Sequence, residues 1–196
     1  MSNHLIRSKD LLYQDKTTFM IQIVKNRCWV LYFCLFITLA IMSSLKYHNL
    51  NTTFFDLGLF LNNFSMIASG QWQSLFLSHV QPFGLFWSIP FSFLSIDWAA
   101  TIILVFQAAF LALPVIGLYR YFGIISALAF SFYFPLWYNA LFDFHMDHLA
   151  VPILFGFFFY ERKGKLPHAI FLAVLLALVK EPFALQTAFC GLYLCV

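Results

Sequence analysis

The stretch Leu141-Phe-Asp-Phe-His-Met-Asp-His148 sets two carboxylates and two imidazoles between apolar runs, in a chain that has only eight acidic residues. Asp143 and Asp147 are four positions apart and His145 and His148 three, so on a helix each pair would share a face. Ionisable groups beside hydrocarbon are costly and for that reason tend to be functional. The placement of the flanking runs therefore decides both the fold and the meaning of this cluster.

Composition places those runs. The 196 residues are 62% apolar, 21% aromatic and 10% charged. That is more apolar surface than a soluble domain of this length can bury, and the excess predicts an all-α, polytopic transmembrane helix bundle in contact with the lipid bilayer. The net charge of +3 gathers in short segments at the ends of apolar runs instead of along one face, which argues against a nucleic acid partner. Cys28, Cys34, Cys190 and Cys195 lie inside apolar runs without metal-ligand spacing and read as small hydrophobes.

Charge placement orders the spans. Residues 1–27 carry Arg7, Lys9, Lys16, Lys25 and Arg27 and show no cleavage site. They read as a cytoplasmic N-terminal segment before an uncleaved span over 28–47. Thr53-Phe-Phe-Asp56 has the capping-box form and predicts an interfacial helix over 53–69, with Asp56 and Asn63 on one face. The run 80–96 is long enough for a marginal span, but Pro82, Gly84 and Pro90 interrupt it. Were it to cross, the basic Arg162-Lys-Gly-Lys165 loop would fall outside, against the positive-inside tendency, so it reads as a second interfacial helix.

Further spans are expected at 98–119, 122–140, 149–160, 167–180 and 183–196. One helix over 167–196 would be about 45 Å long against a hydrocarbon core of about 30 Å, and Pro182 supplies the break. The transmembrane domain, 28–196, stops inside an apolar run and reads as truncated at its C-terminus. The expected setting is the cell inner or plasma membrane, multi-pass, with the N-terminus cytoplasmic.

This topology gathers Asp56, His79, Asp97, Asp143, His145, Asp147, His148, Lys180 and Glu181 at the outer face. Asp56 can cap its helix, act as a base, or do both. The cluster at 143–148 suits a divalent cation such as Mg²⁺, Mn²⁺ or Zn²⁺, with a solvated membrane exit as the alternative. Lys180 can snorkel to the interface or present its ammonium to an anionic headgroup. Gln107 is an amide inside a span, suited to hydrogen bonding between helices. His48 and His168 read as interface residues, and Trp72, Trp98, Trp137 and Tyr138 as aromatic-belt anchors.

The ordered set Phe55-Asp-Leu-Gly58, His79, Pro82, Gln107, Asp143-Phe-His145 and Lys180-Glu181 resembles, over about residues 50–196, a family of bacterial membrane proteins, domain of unknown function 2079. That family resembles the GT-C glycosyltransferases, which take sugars from polyprenyl-phosphate donors at the outer membrane face. The resemblance implies Asp56 and Asp143 as catalytic acidic residues of the first and second outer loops. It implies Lys180, Glu181, His79 and Gln107 as substrate-binding positions, and Asp143 with His145 as holders of Mg²⁺ or Mn²⁺. Members of the family are longer than this chain, so an incomplete, inactive homologue is among the expectations. The other expectation is a non-enzymatic membrane protein, a transporter component or a structural remnant, because intramembrane charges also mark ion paths. A transporter would place polar groups near mid-bilayer, whereas here they gather at one face, apart from Gln107.

Overall fold

A computed structural model describes residues 27–49, 55–76 and 79–195, and among these there is no strand. The first helix, α1, runs over Arg27–His48. It is apolar on every side, but one stripe at helical spacing is buried: Cys28, Tyr32, Leu35 and Leu39. Val30, Ile41 and Leu45 face outward, 53–60% exposed.

α2, Phe55–Ala68, buries Leu57, Leu61, Phe64 and Ile67, a single face repeated every three or four residues. Thr53, the first residue of the expected capping box, lies outside the described residues, so the structure describes only the helix that follows it. The expected interfacial helix at 80–96 is not one element. Its prolines divide it into a short helix α3, Gly84–Ser88, and a 3₁₀ turn, Ile89–Ser92, with Pro90 in its first turn.

α4, Ile96–Ala112, packs through Ala99, Ala100, Ala108 and Ala112, and these small side chains let neighbouring backbones come close. α5, Pro114–Ser131, follows directly, so the helical path does not end near 119 as the charges suggested. The break falls at Gly123 instead, at φ +83° and ψ −178°, a conformation that is essentially reserved to glycine. Beyond it the chain returns: Ala127, Leu136 and Ala140 join Ala108, Leu111, Val115 and Tyr119 in one buried cluster.

α6, Phe134–Phe142, has Pro135 in its first turn, and a 3₁₀ turn at Met146–Leu149 leads into α7, Ala150–Arg162. Gly164, at φ +66°, turns the chain into α8, Leu166–Val179. Extended Lys180 ends α8, and α9 runs over Phe183–Leu194 beyond Pro182. Thr187 of α9 donates to the carbonyl of Ala173 in α8 at 2.9 Å, tying the last two helices side by side.

Two helical stretches, Arg27–His48 and Ile96–Ser131, the second broken at Gly123, are by length and composition long and apolar enough to cross a membrane. α7, α8 and α9 have 13, 14 and 12 residues. At about 1.5 Å per residue each is roughly 20 Å long, short of a hydrocarbon core of about 30 Å.

Several helix ends share one end of the bundle. Tyr47 donates to Asp97 at 3.0 Å, and His48 lies 3.2 Å from the Thr101 hydroxyl, so the end of α1 meets the start of α4. Nothing lies within 4 Å of a Cβ built on Gly123, so its replacement acts through the backbone alone. Gly123→Ala is expected to lower unfolding stability by roughly 1–3 kcal/mol, measured by denaturant titration in detergent micelles.

Candidate functional site

The segment from Leu141 to His145, the end of α6 and the loop beyond it, is hydrogen-bonded from two helices, α1 and α4. Lys46, in the last turn of α1, donates its ammonium to the carbonyls of Leu141 and Phe142, the latter at 3.3 Å. These carbonyls close α6, where a cation meets the negative end of the helix dipole. Gln107 of α4 is 3% exposed. Its Nε2 donates to the Asp143 carbonyl at 3.3 Å, and its Oε1 accepts from the His145 backbone N–H at 3.1 Å. One amide thus satisfies both backbone groups flanking Phe144.

Phe144 itself is 1% exposed. Its ring meets Trp87, Phe60 and Phe64 edge-on, with centroids at 5.2, 5.4 and 5.8 Å. Edge-to-face contacts of this kind fix ring orientation as well as burying area. The backbone on either side of Phe144 can therefore point its neighbours in one direction only.

The ionisable groups stand around this apolar plug. His145 presents Nε2 to Asp56 Oδ2 at 3.6 Å, the two side chains 27% and 34% exposed. Phe60, one turn along α2 from Asp56, lies against the same imidazole at 6.0 Å. Lys180 donates to Asp147 Oδ2 at 3.4 Å, and with 13% exposure it is the more enclosed partner. His79 pairs with Glu181 at the open rim. Burial pushes the Glu181 carboxyl up, but the His79 hydrogen bond, a backbone hydrogen bond and the charges of His79 and Lys180 outweigh it, and the net direction is downward.

A cleft of about 360 Å³ opens among Tyr138, Phe142, His145, Asp147 and His148. His148 also borders a small closed pocket shared with Gln107, Phe144 and Trp87. Burial first, and then the neighbouring His145, push its pKa down to about 3, so the ring is neutral at ordinary pH. Its Nδ1 is enclosed and has no hydrogen-bond partner among the described residues.

Of the residues singled out from the sequence, His145 and Asp147 line the cleft. Asp56 reaches it through its pair with His145, Lys180 through its pair with Asp147 and Gln107 through the His145 backbone, while His79 and Glu181 pair beside Lys180. Asp143 holds a different place. It is 2% exposed, in extended backbone at the end of α6, and it does not line the cleft. His148 does line it. Lys46 and Phe144 carry the arrangement, yet their local sequence gives no sign of it, since both sit in runs that read as ordinary span ends. Among the described residues no three histidine, cysteine or carboxylate side chains converge as a cation site.

The fold and the site define an all-helical chain with two membrane-length helices and a paired-charge cleft at one end. The chain matches no family model, no curated protein and no solved structure.

Phe144→Ala removes the plug and is expected to cost about 3–5 kcal/mol of unfolding free energy, whereas Phe144→Leu should cost well under half of that. A further expectation concerns pH. Between pH 6.5 and about 3 the unfolded chain binds a proton at His148 that the folded chain refuses. Folding stability should therefore fall as pH drops through that window, and His148→Gln should flatten the slope. Proton NMR of the imidazole should show no His148 titration above about pH 4, in line with a pKa pushed down to about 3.

Proposed function

We propose that this chain is a multi-pass protein of the inner or plasma membrane, N-terminus cytoplasmic, and that its cleft transfers a sugar from a polyprenyl-phosphate donor at the outer face. The single observation that carries the reading is the Asp56–His145 pair at 3.6 Å beside the Lys180–Asp147 pair at 3.4 Å, both on the rim of one apolar plug. A carboxylate and an imidazole at one mouth of a cleft, with an ammonium nearby, are the parts that glycosyl transfer needs. The resemblance to domain of unknown function 2079 and to GT-C glycosyltransferases points the same way, and so does the clustering of these groups at one end of the helices.

In this reading Asp56, held in orientation by His145, takes the proton of an acceptor hydroxyl. The acceptor oxygen bonds to the anomeric carbon while the bond from that carbon to the phosphate oxygen breaks. The electron pair leaves with the polyprenyl phosphate, and the Lys180 ammonium offsets the charge that accumulates there. Asp147 and the His79–Glu181 pair keep Lys180 and the start of α9 in place. Gln107 and Asp143 act through the loop backbone and position His145. Mg²⁺ or Mn²⁺ would arrive with the donor, since Mg²⁺ is commonly held by one or two carboxylates and substrate phosphates, and no step above depends on it.

The second reading, a structural membrane component, is favoured by a specific observation. Each ionisable side chain of the three pairs finds its partner on a segment far away in sequence, which is also how a fold is stapled. Labelled sugar transfer from a polyprenyl-phosphate donor, followed in membranes that contain the chain, separates the two. Asp56→Asn should lower the rate by about a hundredfold to ten-thousandfold, the usual contribution of general base catalysis, with membrane insertion unchanged. Transfer that persists in the Asn variant removes Asp56 from the chemistry, and no transfer by the native chain with any donor favours the structural component.

A further inference from the structure

A second concave site lies at the other end of the bundle. α7 and α8 carry the chain roughly 20 Å away from Asp147 and back to Lys180, so the turn between them stands far from the cleft. Close to that turn a groove of about 260 Å³ runs between α5 and α7. Its walls are apolar, Ile116, Phe155 and Phe159 among them, and its mouth is basic, formed by Arg120 and Lys163.

Three observations give the groove an occupant. No carboxylate lines it. Of the two cations at its mouth, Lys163 rests its Nζ 5.3 Å from the ring of Tyr121, itself a lining residue, which holds the ammonium at the groove without neutralising it. Arg162, next in the chain but outside the lining, rests on Phe122 at 5.9 Å. Lys165 adds a further positive charge, and the one carboxylate of this turn, Glu161, is turned toward Tyr193 of α9, whose hydroxyl donates to it at 3.4 Å. Walls that suit an acyl chain and a mouth that suits a phosphate belong together in a lipid.

The walls are also close-set. A Cβ on Gly117 would fall 1.9 Å from the Phe159 ring, so α5 and α7 approach here only because position 117 has no side chain. The Phe159 ring thus packs against the α5 backbone and forms part of the groove's wall.

We propose that this groove binds an anionic glycerophospholipid, one acyl chain between α5 and α7 and its phosphate against Arg120 and Lys163. The inference rests on the membrane placement given above but not on the transferase reading. Basic pockets between helices at the cytoplasmic side of a membrane are suited to such headgroups, and each cation near an anionic surface contributes about a fivefold preference.

The test reconstitutes the full chain in phosphatidylcholine vesicles with and without phosphatidylglycerol, with a photoactivatable phosphatidylglycerol as probe. Crosslinks should map to the segments around Tyr121 and Phe159, and the lipid retained on purification should be enriched in phosphatidylglycerol. Arg120→Gln and Lys163→Gln, both exposed and so not expected to disturb folding, should each cut that enrichment about fivefold. His48→Gln, at the far end and outside both sites, should leave it unchanged. Equal retention of the two lipids, displacement by inorganic phosphate, or an equal loss in His48→Gln overturns the proposal. Extraction of the chain by alkaline carbonate would overturn the membrane placement itself, a result distinct from an integral protein without lipid preference.

Discussion

The Phe144 ring, closed in by Trp87, Phe60 and Phe64, is the contact on which the rest of the site depends. It is the point where α2, α3 and the 143–149 loop share one buried cluster with α4 and the end of α8. Burying a phenylalanine contributes roughly 1.5–3 kcal/mol through area alone, which is ample to order a loop that has no regular hydrogen-bond ladder. The backbone bonds of Gln107 then fix which way the loop faces. With the ring seated, His145 both lines the cleft and faces Asp56.

The charges around the plug follow from that seating. None is deeply buried except Asp143, and the pairs differ in what they contribute. The His79–Glu181 pair is 43% exposed on both sides and is weak in water, whereas Lys180 at 13% exposure is drawn into a setting where its field is screened less. His148 occupies the opposite extreme, kept neutral by its surroundings and so without a charge to offer a ligand. Neutral imidazole, paired imidazole and enclosed ammonium thus lie within one small region, each with a different role set by exposure.

The two ends of the bundle divide the electrostatics. Mixed charges that neutralise one another gather where α1 ends and α4 begins. An excess of cations gathers at the turn between α7 and α8, where Arg162 rests on a phenylalanine ring and Lys163 on a tyrosine ring, and the carboxylate of Glu161 accepts from Tyr193. The apolar perimeter between them, typified by Ile125 at 80% and Phe132 at 76% exposure, has no counterpart in a surface meant for water.

The sequence by itself determined the helical class, because apolar runs of this length leave backbone groups no partner but their own helix. It also located the breaks at Pro182 and at the basic 162–165 turn, because a proline and a run of charges act on their own residues and neighbours. It did not locate the one before Pro135, where the expected 122–140 span is two helices, one ending at Ser131 and the next starting at Phe134. It named most of the charged cluster, because Asp, His and Lys are conspicuous among so many apolar residues. Only the tertiary structure decided which of them meet. His79 and Glu181 are 102 positions apart and Lys46 and Leu141 are 95, and separations of that size leave no periodic trace. The break at Gly123 instead of near 119 is likewise tertiary, because a glycine permits the turn but only the packing of Ala127 and Leu136 against Leu111 and Val115 requires it. The role of Phe144 was hidden for the plainest reason. In a chain with 27 phenylalanines, what distinguishes one of them is its neighbours in space.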